Sequence, residues 1–311
     1  MAAAFPMIIR PRPHGWQLLY ILKGSVLQAI SRKVLAIGLL ALAVSAFAEV
    51  YHPAGIERFT VIPFSLFGLV LSIFLSFRNN GCYERWWEAR KQWGALVFES
   101  RSLVRQCEVL LADEPERLHR VTYLVIGFAH ALEARLRGTD MQAASARWLP
   151  DADLALLKKR NNVPNQILTL ITAELAQPLR EGRLDSILYA QFDERIQSMS
   201  AIQTACERIA TTPLPFAYTL LLHRCAWLFC ILLPFGFVTA LGWATPVVSV
   251  VLAYAFFGMD QISDEIEEPF GLAPNDLPIH ALVRVIEIDL REALGERDLP
   301  IQLLPDDYLL Q

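Results

Sequence analysis

The stretch "RNNGCYERWWEARKQWG", residues 78–94, follows directly on the uncharged apolar run "FTVIPFSLFGLVLSIFLSF", residues 59–77. Tryptophans among basic residues at this position are typical of the belt of aromatic and positively charged side chains at a membrane–water interface. Tyr83, Trp86 and Arg90 also recur at helical spacing. We therefore expect the apolar run to continue as one helix out of the membrane and into a helical region in water.

The composition lies between that of a soluble globular protein and that of a polytopic membrane protein. Hydrophobic residues make up 54% of the 311-residue chain, charged residues make up 19%, and the mean hydropathy is +0.35. The net charge of −4 is small and no basic patch has nucleic-acid spacing, so we expect no nucleic-acid partner. The five cysteines form no CxxC pair, which favours reduced thiols over a disulfide framework or a zinc site.

Four apolar segments are each near the length of about 20 residues that a helix needs to cross the hydrocarbon core. They cover residues 34–51, 59–77, 225–243 and 244–260. The connections within each pair are short, so the spans are expected to form two hairpins that open on the same side. The N-terminal segment and the long middle region are rich in basic residues, which mark the cytoplasmic side. The sequence therefore predicts an all-α polytopic membrane protein with four transmembrane helices and both termini cytoplasmic.

The regions outside the spans show the periodicity of a helical bundle rather than that of a linker. Apolar residues recur at three- and four-residue intervals, with charges between them, over 88–112, 117–137, 184–210 and 278–296. Asp185 is a natural N-cap for one of these helices, because its carboxylate can accept from free backbone amides. We interpret residues 1–311 as a single domain, with a large cytosolic helical region over 78–212 and 261–311.

The patterns of several kinds of catalytic or energy-coupling site are absent from the sequence. There is no nucleotide-binding glycine loop, no GxSxG and no HExxH, and the six histidines show no metal-ligand spacing. The acidic group "MDQISDEIEEPFG" (259–271) lacks the alternating ligands of a calcium loop, so we interpret it as a solvated helix end. The sequence predicts no catalytic residue and no metal site, and favours a protein that is not an enzyme.

Several short motifs resemble those of one known family. "FRNNGCYERWWEARKQWGALVFESRSL" (77–103) resembles the signature of the bacterial branch of the bestrophin family, whose second span ends in a shared "RWW". The further matches are Ile62–Pro63, "TPLPFAYTLLLHR" (212–224), "EEPFG" (267–271) and "NDLPI" (275–279), in the same order along the chain. The resemblance covers about residues 60 to 300 and agrees with the four spans predicted above.

The resemblance implies a homopentameric ion channel with one pore on the five-fold axis and a narrow neck lined by the second span. The positions that match the family's neck are Ile62, Leu66 and Val70. Their spacing of four places them on one face of a helix, so the five copies would form three stacked apolar rings. Pro63 inside this helix is expected to remove a backbone hydrogen bond, which buried neighbours or pore water could satisfy.

The resemblance also implies a second constriction in the cytosol. In the family it follows a "G-x-(x)-D" turn, which matches "GRLDSI" (182–187) and indicates Ile187. At the membrane interface, Pro63, Arg78, Trp86 and Trp87 are expected to support the pore-lining helix.

This sequence departs from the animal branch of the family at two places. The animal proteins follow "PFG" with a run of acids that clasps calcium, whereas here the residues are "PFGLAPNDLP" and only Asp276 is retained. The calcium site is therefore not carried over, and no cofactor is expected. The animal neck also has aromatic residues where this chain has Leu66 and Val70.

Glu49 and Glu57 near the outer mouth favour cations as the permeant ions, with only Arg58 to offset their charge.

Together with the predicted spans, the resemblance implies a pentameric channel in the bacterial inner membrane that passes small monovalent ions passively. Its partners would be further copies of itself, monovalent inorganic ions and membrane lipid. Sodium is slightly favoured as the permeant ion, and a chloride channel of the same architecture is the alternative. A secondary transporter and a membrane-anchored scaffold protein remain as hypotheses of other classes. A transporter should show broken helices or internal symmetry, and neither is visible in the sequence.

Overall fold

The structure is a computed structural model that describes residues 7–8, 14–21, 24–51, 61–305 and 308–310. These residues are predominantly helical. The helices are α1 (Leu27–Tyr51), α2 (Val61–Leu110), α3 (Pro115–Leu136), α4 (Met141–Ser145), α5 (Asp151–Leu157), α6 (Val163–Arg180), α7 (Ser186–Thr211), α8 (Phe216–Leu241), α9 (Thr245–Glu267) and α10 (Ile279–Ala293). Two short strands, β1 (Met7–Ile8) and β2 (Leu309–Leu310), pair antiparallel.

The chain divides into two compact units. The first, which we call the apolar-helix unit, comprises residues 10–86 and 213–268 and contains α1, α8, α9 and the first half of α2. The second, the amphipathic-helix unit, comprises residues 1–9, 87–212 and 269–311 and contains α3 to α7, α10 and both strands. The helices of all the predicted spans therefore belong to one unit, and α2 contributes residues to both.

The core of the apolar-helix unit is built from one side of each of its helices. It contains Ile30, Val34 and Ile37 of α1, Leu71 and Leu75 of α2, Leu222, Ala226, Phe229, Cys230 and Leu233 of α8, and Ala253, Phe256 and Phe257 of α9. The rings of Phe229 and Phe256 meet edge to face with centroids 4.8 Å apart. Aromatic pairs of this geometry stabilise a core beyond the area that they bury.

Two glycines allow α2 and α8 to approach closely. A Cβ on Gly68 would lie 2.8 Å from Cζ of Phe229, and a Cβ on Gly236 would overlap the ring of Phe64. Each glycine therefore provides the space that an aromatic ring of the facing helix occupies. Small residues at helix interfaces are a general means of close packing between apolar helices.

The amphipathic-helix unit is centred on α3, which packs against α4, α6 and α10, while α6 packs against α7. Phe128 of α3 and Phe192 of α7 are fully buried in its core. The N-terminus of α7 is capped as predicted, since the carboxylate of Asp185 accepts from the backbone amide of Ile187 at 2.7 Å. The long helices predicted outside the spans are confirmed as the second half of α2 and as α3, α7 and α10.

The predicted apolar segments are all helical over the residues that the structure describes. By length and composition, three helical stretches are able to cross a membrane: Leu27–Tyr51, Val61–Leu110 and Phe216–Glu267. The third comprises α8 and α9, which a 3-10 turn at Gly242–Ala244 separates. Residues 52–60, which join the first two predicted spans, lie outside the described residues. The sequence analysis missed α4, α5, α6 and the β1–β2 pair.

The cysteines outside the apolar helices behave as inert core residues. Burial raises the pKa of both Cys107 and Cys206 to about 12, because a thiolate is poorly solvated there. All five cysteines are free thiols in the structure, in agreement with the reduced state predicted from their spacing.

Candidate functional site

The predicted neck residues lie on one exposed face of α2. Ile62 is 77% exposed, Leu66 63% and Val70 41%, although all three are large and apolar. The same face continues with Ile73, which is 48% exposed, and Phe77, which is 64% exposed. Successive members are three or four residues apart, so they form one stripe along the helix. We call these five residues the apolar stripe of α2.

The opposite side of α2 packs into the apolar-helix unit. Leu71, Leu75 and Cys82 are 3%, 0% and 0% exposed. Leu75 follows Leu66 by nine residues, which is about two and a half helical turns, so the two side chains point in opposite directions. The fold therefore turns the apolar stripe directly away from the rest of its own unit. An apolar face of this length is left for lipid, for another copy of the chain or for a pore.

Pro63 stands in the first described turn of α2, which begins at Val61. Amides in the first turn of a helix have no partner within the helix, so a proline removes a hydrogen bond only further along the helix. Because residues 52–60 lie outside the described residues, the predicted loss of a hydrogen bond at Pro63 stays a prediction.

Ile187 is the second residue of α7 and is 74% exposed in the amphipathic-helix unit. The Asp185 cap determines the direction in which the chain enters α7 at this point. An exposed isoleucine beside a helix cap agrees with a constriction lined by several copies, but its role as a constriction stays a prediction.

Directly after the stripe, the structure places a buried charge cluster. The guanidinium group of Arg78 donates to Asp260 at 2.7 Å, to Asp264 at 2.5 Å and to Glu267 at 3.3 Å. The side chain of Arg78 is fully buried, and that of Asp260 is 2% exposed. Because a buried charge needs an opposite charge and good hydrogen bonds, these contacts tie α2 to α9.

A histidine extends the cluster to α8. His223 Nδ1 lies 2.7 Å from Asp260, and its Nε2 accepts from the indole N–H of Trp227 at 3.2 Å. Since an indole N–H only donates, Nε2 carries no proton and Nδ1 donates to the carboxylate. Glu267 also accepts from the backbone amide of Leu214 at 3.1 Å, just before α8 begins.

The interpretation of residues 259–271 as a solvated helix end was therefore wrong for Asp260. A signal for the pair was present in the sequence. Arg78 ends one uncharged segment, and Asp260, Asp264 and Glu267 follow another at intervals of four and three, on one face of a helix. Charges at the ends of neighbouring apolar helices are candidates for pairing.

Trp86 and Trp87, expected at the interface, each have an aromatic or cationic neighbour within their own unit. Trp86 stacks on Tyr83 with centroids 6.3 Å apart. Trp87, which is 43% exposed, lies under the guanidinium of Arg90 at 5.8 Å. Such contacts suit amphipathic rings at a boundary between apolar and aqueous surroundings.

Among the residues that the structure describes, no group of histidine, cysteine or acidic side chains has the arrangement of a metal site. The acids near Arg78 form ion pairs with it instead. Asp276, the one acid kept from the animal calcium run, accepts from the backbone amide of Ala273 at 2.6 Å.

Comparison with known proteins gives a consistent result. A family model described as Bacterial/Fungal Bestrophin protein matches residues 7–292. A voltage-dependent anion channel-forming protein of Mesorhizobium japonicum is 43% identical over 96% of this chain and 95% of its own length. The voltage-dependent anion channel-forming protein YneE of Escherichia coli is 42% identical over 97% of this chain and 99% of its own length. The crystal structure of a bacterial bestrophin homolog from Klebsiella pneumoniae covers 86% of this chain and 99% of its own, with a TM-score of 0.83 and 38% identity.

The helical fold, the apolar helices and these relatives define the class of the protein as a membrane channel. Within that class, the chain belongs to the bacterial and fungal bestrophin family. This is a family of channels and not of enzymes, in agreement with the sequence analysis.

The predicted preference for cations is opposed by these relatives, since both named proteins are described as anion channel-forming. The prediction depended on Glu49, Glu57 and Arg58. Glu49 is exposed at the C-terminal end of α1, and the other two lie outside the described residues. Glu49 lies on α1 and not on the helix that carries the predicted neck, so its exposure does not by itself indicate which ion passes.

Proposed function

We propose that this protein is a passive channel for small monovalent anions, such as chloride. The observation that carries the proposal is the apolar stripe of α2, exposed on the side of the helix opposite its buried face, in a chain of the bestrophin family. Both named relatives are described as anion channel-forming proteins, which supports anions as the permeant ions.

In this proposal Ile62, Leu66 and Val70 form the neck of a pore on the axis of a homopentamer. Five copies of each side chain would make an apolar ring without ligands for an ion. Such a ring controls passage by its width and by how readily water fills it. Exposure of these side chains within one subunit supports the proposal, because a subunit alone should leave its pore face uncovered.

The proposed topology has four spans in the inner membrane, formed by α1, the first half of α2, α8 and α9. Both termini and the amphipathic helices are cytoplasmic. The whole chain, residues 1–311, acts as a single bestrophin-like channel domain. The abundance of basic residues outside the spans supports this orientation. The exposed apolar surface that is not part of the pore would contact neighbouring subunits and membrane lipid.

Three further elements complete the proposal. Ile187 forms a second constriction on the cytoplasmic side of the pore. Arg78 holds α2 against α9 where the helix leaves the membrane, with Trp86 and Trp87 at the interface. Pro63 supports the same helix at the membrane interface. No cofactor takes part in passive conduction.

Purified protein in a planar bilayer, with NaCl more concentrated on one side, tests the function. A reversal potential near the equilibrium potential of chloride is expected. A potential near that of sodium would overturn the assignment to anions but keep the channel. Saturable flux without single-channel steps, or no current at all, would overturn the channel function itself.

A further inference from the structure

The exposed face of α2 does not end with the apolar stripe. Asn80 and Glu84 follow Phe77 at intervals of three and four residues, and both are exposed. Glu84 follows Leu66 by eighteen residues, which is five helical turns, so the two side chains point in the same direction. On this face of α2, in the direction from Ile62 to Glu84, Asn80 is the first polar residue and Glu84 the first charged one.

The pairing of Glu84 differs from that of the other acids nearby. Asp260, Asp264 and Glu267 belong to the same unit, and each is paired with Arg78. Among the described residues, Glu84 has no ion-pair or hydrogen-bond partner for its side chain. No cation of the same subunit therefore pairs with its carboxylate, and the residue lies on the same side of α2 as the neck.

From this geometry we propose that Glu84 forms an acidic ring that restricts anion entry from the cytoplasmic side of the neck. The inference rests on the proposed function, because it needs the apolar stripe to line the pore. In a homopentamer each subunit would contribute one carboxylate at the same level. Anions that approach the neck would then meet a negative ring before they reach its apolar rings.

The distance along the helix is compatible with such an effect. From Val70, the last neck residue, to Glu84 is about 21 Å at 1.5 Å per residue. A ring at this distance does not change the width of the neck or its wetting. It lowers the local concentration of anions in a confined vestibule, as charged rings and clefts do for ions of like sign. The effect should disappear when salt shortens the Debye length below the dimensions of the vestibule.

The test compares single-channel chloride conductance of the wild type and Glu84→Gln at two salt concentrations. At about 0.01 M KCl the Debye length is about 30 Å, and at about 1 M it is about 3 Å. Removal of the carboxylate is expected to raise the conductance about two-fold or more at low salt, because local ion concentrations depend steeply on the wall potential. At high salt the two proteins should conduct alike.

Two further variants separate a charge effect from a structural one. Glu84→Asp keeps the charge and should conduct like the wild type at both concentrations. Glu108→Gln removes an acid near the C-terminal end of the same helix, which likewise has no partner among the described residues, and should leave the low-salt conductance unchanged. Retention of the purified variants on size-exclusion chromatography checks that they assemble.

The outcomes distinguish this inference from the function on which it rests. If the wild type conducts and Glu84→Gln has the same conductance at low salt, the acidic ring is overturned while the channel stands. A rise that persists unchanged at high salt would also overturn it, because screening should remove an electrostatic effect. If the wild type passes no current, the channel function fails and this inference fails with it.

Discussion

The guanidinium group of Arg78 lies 2.7 Å from the carboxylate of Asp260, and neither side chain has more than 2% of its surface exposed. The pair joins α2, which carries the apolar stripe, to α9. Because a buried charge without its partner is strongly destabilising, the pair favours one longitudinal register between the two helices. The pair therefore helps to determine where Ile62, Leu66 and Val70 lie along the axis of α2 relative to α9.

Replacement of Arg78 by methionine should destabilise the protein by about 3 kcal/mol or more, because it leaves Asp260 buried without its cation. Thermal unfolding in detergent, followed by tryptophan fluorescence, measures the loss. In the double variant Arg78→Met/Asp260→Asn, part of the stability should return, since the remaining buried group is then neutral.

A matched control for Arg78 is Arg101, which pairs with Asp289 in the amphipathic-helix unit but is 49% exposed. Surface pairs contribute about 0–1 kcal/mol, so Arg101→Met should lower the unfolding temperature only slightly. Equal losses for the two variants would contradict a structural role for the Arg78 cluster.

Gly236→Ala should destabilise the contact between α8 and α2, because its Cβ would overlap the ring of Phe64. Overpacking of this kind costs about 1–3 kcal/mol. Gly94→Ala serves as control: it lies on α2 with nothing within 4 Å of its added Cβ, so it should leave stability unchanged or raise it. Phe64→Leu combined with Gly236→Ala should recover stability, and failure to do so would show that the clash lies elsewhere.

Leu66→Ala should raise single-channel conductance, since a smaller side chain widens the neck and makes it easier to wet. The residue is 63% exposed within the subunit, so the substitution should leave the unfolding temperature nearly unchanged. Leu75 lies on the buried side of the same helix, so Leu75→Ala should instead lower the free energy of unfolding by about 2–5 kcal/mol. If conductance and permeability ratios are the same in Leu66→Ala and the wild type, Leu66 does not line the pore.

Ile187→Ala should change conductance or anion permeability ratios without a loss of stability, because the side chain is 74% exposed. Val109→Ala is a suitable control, since Val109 is 72% exposed in the same unit and is not part of the proposed constriction. Bilayer recordings in mixed anions measure both. Ratios that move equally in the two variants would argue against a specific constriction at Ile187.

Glu287 of α10 and Glu296, which follows the end of that helix, should make the folded protein less stable at low pH. Burial alone raises the pKa of Glu287, but nearby His130 and Arg284 outweigh it and hold that pKa below its ordinary value. Burial likewise raises the pKa of Glu296, and the hydrogen bond from Arg291 outweighs it, so that this pKa is also lowered. In the unfolded chain the pKa of a glutamate is about 4.3. Because the pKa is lower in the folded state, the ionised acid stabilises the fold at any pH above about 4.3, and this contribution is lost as the pH falls through the folded pKa.

The unfolding temperature should therefore hold from neutral pH to about pH 5 and decline below about pH 4. Glu287→Gln should lower stability at neutral pH by about 1–3 kcal/mol, because it removes a charged acceptor from buried partners, and should flatten the decline in acid. Glu292→Gln, an exposed acid of the same helix α10, should change neither. A decline of the same steepness in Glu287→Gln would place the acid sensitivity at other groups.

Much of the helical architecture could be predicted from the sequence because its signals are local. Uncharged runs of about 20 residues identify helices able to cross a membrane, and three- and four-residue periodicity identifies α3, α7 and α10. The cap at Asp185 was likewise predictable from one acidic side chain at the start of a periodic run. The short helices α4 and α5 were missed, since five to seven residues carry too little periodicity to detect.

By itself, the sequence determined where the chain is helical and which helices are apolar, because these properties depend on neighbours within a few residues. Only the tertiary structure decided which side of α2 is buried. Its first turns are apolar on all sides, so hydropathy does not distinguish Leu66 from Leu75. The partners of Arg78, the space that Gly236 provides for Phe64 and the β1–β2 pair also depend on residues far apart in the chain. Contacts of this kind exist only once helices pack, and no local pattern specifies them.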